Sequence, residues 1–257
     1  MAAWKRNISI STLGSFRRDF RLEDLEVTGD PGVVVSTSGT TTGTPKMLVV
    51  PWAAVQERCQ NLGSAFDAAD IAVTLPLLPS GYTAGAISSR LAVLWNGGKI
   101  VQWSVHSRAD PFNEAVDDYG VTCVFTKPSI MRRICERHDV PTKATLRAII
   151  LVNEPLTAED WQTFTDRFGA RVITCYGASE FGPIALSDGS KPENGRIGPI
   201  LQGVEARIVD GILHVRGGCM ASFYFDGSPV PTLADGWYDT GDLADIVDGS
   251  LYIYGRA

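Results

Sequence analysis

The sequence predicts an α/β protein, a largely parallel sheet flanked by helices and followed by a small antiparallel β subdomain. Three observations predict it. Between positions 33 and 175 short β-branched runs alternate with helical patterns, the signature of strands joined by crossover helices. After Gly182 the helical periodicity stops, and short strand-like segments separated by Gly, Asp and Pro take over. The 257 residues, 44% of them hydrophobic, are enough for one large domain or a domain with a smaller appendage. The division is read as an α/β core over 1–185 and a small β subdomain over 186–257.

The runs VVVS (33–36), IAVTL (71–75), VTCVF (121–125), LRAIILV (146–152) and RVITC (171–175) read as buried strands of the parallel sheet. Between them, Trp52 to Phe66 puts Val55, Cys59, Leu62 and Phe66 on one helical face. Asp110, Pro111 and Gly120 supply an N-cap, a first-turn proline and a C-terminal glycine for a second helix. Thr157 with Asp160 resembles a capping box before WQTFTDRF, and Gly169 ends that helix. In the second half GVEARIV, GILHVRG and SLYIYG read as short strands, while 187–199 reads as an exposed loop.

Composition excludes several classes. A net charge of −6 without a Lys/Arg cluster leaves no footprint for phosphate backbones, so no nucleic-acid partner is expected. The five cysteines are odd in number and scattered, which encodes neither a disulfide framework nor a zinc site. No apolar run reaches membrane length, so no membrane association and a cytoplasmic location are expected. His106 and His214 have neither acid nor nucleophile beside them, and His138 sits in a charged helical end, so a hydrolase triad has no support. Cys175 reads as a small buried hydrophobe.

Chemistry concentrates in STSGTTTGTPKML (36–48), directly after a strand. Its glycines let backbone N–H groups approach an anion, its hydroxyls add donors and Lys46 adds a point charge, which suits a polyphosphate. The same composition also describes a flexible Ser/Thr/Gly loop, and composition alone does not choose the cradle. It is not the common P-loop, because Thr44 and Pro45 separate Gly43 from the lysine and the strand-like MLVV follows.

The segment resembles the signature loop of the adenylate-forming superfamily (acyl-CoA synthetases, firefly luciferase, nonribosomal peptide synthetase adenylation domains), whose pattern is close to SGTTGxPK. This chain has SGTTTGTPK, one threonine longer. Two further segments follow in the family's order: YGASE (176–180), similar to YGxTE with Ser179 in the threonine position, and WYDTGDLADI (237–246), similar to YxTGDL. The resemblance covers residues 33 to 256. It implies ATP- and Mg²⁺-dependent activation of a carboxylic acid as its acyl-adenylate. Transfer to CoA or to the phosphopantetheine of a carrier protein would follow. The alternative is a non-catalytic or partner-dependent nucleotide-binding subunit of a biosynthetic complex.

Carried over position by position, the resemblance implies catalytic roles for Lys46, Ser179 and Glu180, with Glu180 on the metal. It implies nucleotide contacts from Thr37, Ser38, Gly39, Thr40, Thr41, Thr42, Gly43, Thr44, Lys46, Asn153, Glu154, Tyr176, Gly177, Asp242 and Arg256. Tyr176 would stack on adenine, while Asp242, assisted by Arg256, would hold the ribose hydroxyls. Tyr82, Ala86, Asn153 and Ala178 would line the acyl pocket. LPLLPSGYTAG carries no aspartate, where amino-acid-activating members often anchor the substrate amine, so an aryl or acyl acid is expected over an α-amino acid.

The chain also departs from the family pattern. Asn153 and Glu154 stand where small residues are usual, and thirty-five residues precede the loop where members have well over a hundred. Members continue past the GR motif into a small C-terminal domain bearing a lysine, whereas this sequence ends at Ala257. The resemblance therefore implies an N-terminal core whose adenylation is slow without that domain.

Overall fold

The computed structural model describes residues 9–10, 32–37, 46–102, 112–137, 141 and 144–257. A six-stranded sheet forms its centre, in the order β5-β4-β6-β7-β8-β9, from β4 (Val73–Pro76), β5 (Lys99–Ile100), β6 (Cys123–Thr126), β7 (Ala148–Leu151), β8 (Arg171–Ala178) and β9 (Gly182–Leu186). All its pairings are parallel except β8 with β9.

Alternation along these strands feeds two cores. Cys123, Phe125, Ala148, Ile150, Ile173 and Cys175 face one side, and Val124, Ile149, Leu151 and Val172 face the other. On the first side pack α1 (Trp52–Ala65), a π-helical segment (Ala84–Leu91) and α2 (Ala92–Trp95). On the second lie α3 (Phe112–Tyr119), α4 (Pro128–Glu136) and α5 (Ala158–Phe168). Each fully buried Phe or Ile adds roughly 1.5–3 kcal/mol to the sandwich. Among the described residues, no helix is long and apolar enough to cross a membrane.

The caps follow from the sequence. Thr157 accepts the Asp160 N–H at 3.0 Å, and Gly120 and Gly169 close their helices at φ +61°. The Asp160 carboxylate bonds Arg132 of α4 at 2.6 Å and ties two helices together. Asp110 and Pro111 lie outside the described residues.

The run at 33–36 departs from expectation. It is β2 (Gly32–Ser36), and it belongs to a separate sheet, β1-β2-β3-β13, with β1 (Ser9–Ile10), β3 (Met47–Pro51) and β13 (Phe223–Tyr224). Its partner β3 runs antiparallel to it, because the two flank one loop and need no crossover. Val33 and Val35 face the first core, while Val34 and Val49 meet Phe223 and Phe225 on the other side. A continuous apolar run reports burial on both faces and leaves open which sheet provides it.

The third sheet is antiparallel, in the order β10-β15-β14-β12-β11: β10 (Arg196–Pro199), β11 (Glu205–Val209), β12 (Ile212–Arg216), β14 (Tyr238–Val247) and β15 (Ser250–Arg256). Its core is Leu213, Val215, Ala244 and Leu251 with Phe181, Ile184 and Ala185. β10 occupies the end of the stretch read as an exposed loop.

Candidate active site

Ligands of open α/β sheets bind beyond the carboxyl ends of the parallel strands. Here the segments leaving β4, β6, β7 and β8 carry Tyr82, Lys127, Asn153 with Glu154, and Ser179 with Glu180. The β2–β3 loop joins that edge, since Ser36 donates its N–H to Gly81 O at 2.7 Å and bridges Tyr82. Its two stems are pinned together. Thr37 N–H reaches Lys46 O at 2.8 Å, and Lys46 N–H reaches Thr37 Oγ1 at 3.0 Å. Ser38, Gly39, Thr40, Thr41, Thr42, Gly43 and Thr44 lie outside the described residues.

YGASE forms the end of β8 and the turn into β9. Gly177 is glycine for a steric reason, because a Cβ there would stand 2.3 Å from Gly182 O. The turn is held from below by Arg58 of α1, which is fully buried. Its guanidinium donates to Cys219 O and Glu180 O, both at 2.9 Å, and to Ser179 O at 3.4 Å. Burial lowers its pKa to about 10, partly offset by the neighbouring Cys219 and Glu180.

Three separated stretches meet above this turn. The Tyr176 hydroxyl donates to Asp242 Oδ2 at 2.5 Å, and Arg256 Nε pairs with Asp242 Oδ1 at 3.0 Å. Arg256 also donates to Thr240 O at 2.6 Å. Burial, reinforced by Asp242, pushes the Tyr176 phenol far above its ordinary value. The Glu180 carboxylate accepts the Tyr224 hydroxyl at 3.0 Å and faces the Tyr238 hydroxyl. Burial and then the Glu180 charge raise both phenols, Tyr224 to about 12. The Lys46 ammonium lies over the Tyr224 ring, 4.7 Å from its centre. Lys46, Tyr224, Glu180 and Tyr238 thus form one group, and Tyr176, Asp242 and Arg256 a second, joined through β8 and β14.

Other expected residues stand apart in their contacts. The Glu154 carboxylate bonds Lys127 Nζ at 2.8 Å, Ser129 N–H at 2.9 Å and Ser129 Oγ at 2.8 Å, fastening the start of α4. Burial raises its pKa, but these partners outweigh burial and leave it lowered. Asn153 is exposed with φ +66°. Ala86 is buried in the π-helical segment, Tyr82 is exposed, and Ala178 packs partly buried against the third sheet's core. Cys175 is buried, and its thiol is pushed up to about 12 by that burial.

Three residues here carry no role in the sequence reading. Arg58 left one signal, a lone arginine at the buried Val55, Cys59, Leu62 face of α1. Tyr238 left one, its place as the tyrosine of the segment similar to YxTGDL, and Tyr224 left none beyond its residue type, since its partners lie far along the chain. His214 is a correction: the register of β12 on β14 sets it opposite Asp239, with Nε2 at 3.9 Å from the carboxylate, so it does have an acid beside it.

The comparisons agree with this architecture. Residues 15–225 match the family described as AMP-binding enzyme, and the chain belongs to that family, the adenylate-forming enzymes. It is 26% identical over 213 residues to a 3-methylmercaptopropionyl-CoA ligase of Ruegeria pomeroyi, covering 72% of this chain and 39% of that protein. It is 34% identical over 120 residues to a 2-succinylbenzoate–CoA ligase of Salmonella typhimurium, covering 44% of this chain and 25% of that one. A solved malonyl-CoA ligase in a ternary product complex with methylmalonyl-CoA and AMP is 28% identical, with a TM-score of 0.72, over 88% of this chain and 52% of that chain. The chain thus spans less than half the length of these two curated relatives.

Proposed function

We propose that this chain binds ATP and activates a simple carboxylic acid as its acyl-adenylate: a carboxylate oxygen attacks the α-phosphorus and pyrophosphate leaves. The observation that carries the reading is the meeting of Lys46, Glu180, Tyr176, Asp242 and Arg256, drawn from three distant stretches, at the carboxyl edge of the sheet. Lys46 and the loop 37–44 hold the β- and γ-phosphates. Among the described residues Asp242 has each oxygen engaged once, so a carboxylate with two lone pairs per oxygen can still accept the ribose hydroxyls. Tyr176, its hydroxyl fixed on Asp242, presents its ring to the adenine, with Gly177, Asn153 and Glu154 as further neighbours.

Glu180 is the residue that would hold Mg²⁺. The described residues contain no cluster of three metal-binding side chains, so one carboxylate and the substrate's phosphates would share the ion, the usual arrangement for Mg²⁺. When bound, the ion neutralises charge developing on the phosphates. Tyr82, Ala86 and Ala178 border the acid, an aryl or acyl rather than an α-amino acid. The names of the related ligases support CoA as acyl acceptor, and Ser179 remains a candidate catalytic residue on the β8–β9 turn.

Calorimetric titration tests the reading. Wild type should bind ATP and AMP. Lys46→Ala should lose more affinity for ATP than for AMP. Asp242→Ala should lose about 1.5–3 kcal/mol for both, the range for hydrogen bonds to a charged acceptor. A folded wild type without ATP affinity overturns the proposal.

A further inference from the structure

Tyr224 touches both Lys46 and Glu180, and its backbone explains why. It sits on β13, opposite Leu48 of β3, two residues beyond Lys46, which stands just before that strand. Phe225 N–H to Met47 O at 2.8 Å continues the ladder toward the lysine. On its other side the segment is keyed to the β8–β9 turn: Ala221 N–H donates to Glu180 O at 2.8 Å, and Arg58 bonds the carbonyls of both Glu180 and Cys219. The stretch from Cys219 to Phe225 therefore spans the loop strand and the glutamate turn. Tyr224 is the side chain it delivers between them, buried at 9% exposure.

We propose that Tyr224 is a positioning residue that couples Lys46 to Glu180, its ring seating the ammonium and its hydroxyl aiming the carboxylate. The proposal rests on the nucleotide-binding reading of the site. The ring's negative face attracts the ammonium, and the hydroxyl fixes one oxygen of a carboxylate that the Tyr238 hydroxyl also faces. Asp226 lies on the same segment within electrostatic reach of Lys46, so the ammonium is attracted by a charge as well as by the ring.

The two halves of the side chain separate by substitution. Tyr224→Phe keeps the ring and removes the hydroxyl, whereas Tyr224→Leu removes both. ATP and AMP affinities are measured by calorimetry in metal-free buffer and across a Mg²⁺ series, with circular dichroism confirming the fold. Tyr224→Phe should need about tenfold more Mg²⁺ for half-maximal enhancement of ATP binding, the scale of one hydrogen bond to a charged group. Glu180→Gln in the Tyr224→Phe background should add less than it does alone, because both changes act on one carboxylate. In metal-free buffer Tyr224→Leu should lose a further two- to fivefold of the preference for ATP over AMP, which Tyr224→Phe retains, on the scale of one exposed cation–π contact. If wild type binds no ATP, the nucleotide reading falls and this proposal with it. If wild type binds ATP and Tyr224→Phe shows an unchanged Mg²⁺ requirement, only the coupling role is overturned. If Tyr224→Leu keeps the same preference for ATP over AMP as Tyr224→Phe in metal-free buffer, the ring does not seat the ammonium and the coupling is equally overturned.

Discussion

Replacing Arg58 with methionine should destabilise the protein by up to about 3 kcal/mol, a net effect of two opposed terms. The guanidinium makes two short bonds at 2.9 Å to main-chain carbonyls, each worth about 1.5–3 kcal/mol when the donor is charged. Against this, burial lowers its pKa from 12.5 to about 10, roughly 3 kcal/mol of cost to the charged form that methionine does not carry. Glu180 O keeps the Ala221 N–H as a donor, whereas among the described bonds Cys219 O has only Arg58. Arg58→Ala also leaves a void and should fall further, by about 3 kcal/mol or more. Urea unfolding followed by circular dichroism and tryptophan fluorescence gives both differences, provided the slope with urea is unchanged. Amide exchange at Ala221 should quicken in both variants. If Arg58→Met matches or exceeds wild type, desolvation dominates, as in many buried ion pairs, and the reasoning fails.

Gly182→Ala tests the same contact from the other side: φ is +97° and the added Cβ would meet Arg58 Nε at 2.7 Å, so a loss of about 2 kcal/mol is expected in thermal unfolding. An unchanged melting temperature would mean that turn and guanidinium yield together. Glu154→Gln should cost about 0.5–1 kcal/mol at neutral pH, since the Lys127 pair is part exposed. Because the folded pKa of Glu154 is lowered, its contribution is present above the ordinary value of 4.5 and is lost as pH falls through the folded value. The difference between wild type and Glu154→Gln should therefore close in acid, and a gap constant down to pH 3 would contradict the ion-pair account.

What could be read in advance was what is local. Thr157 caps α5 because its partner is three residues away, and Val124 and Ile149 announce a sheet covered on both faces within a few positions. The three motifs were legible because each is contiguous. Arg58 and Cys219, or Tyr176 and Asp242, are paired across 161 and 66 positions, and no periodicity encodes such a partner. The separate sheet of β2 was hidden for the same reason, since it is completed by β13, a strand from far along the chain that pairs with β3. The π-helical segment carries Gly85 near its start and no side-chain cap, and neither marks its wider turn.

The clasp between Thr37 and Lys46 has a consequence for how such loops diversify. Eight residues, 38–45, lie between two positions already bonded to each other, so the length of that insert is decoupled from the placement of the lysine backbone. Lengthening a closed loop from seven to eight residues adds only about 0.1 kcal/mol of closure entropy. The additional threonine is thus close to thermodynamically silent at the stem. A socket of this kind lets a lineage gain or lose residues at the tip, exchanging one set of donors for another, while the cation at its rim keeps its address at the foot of β3.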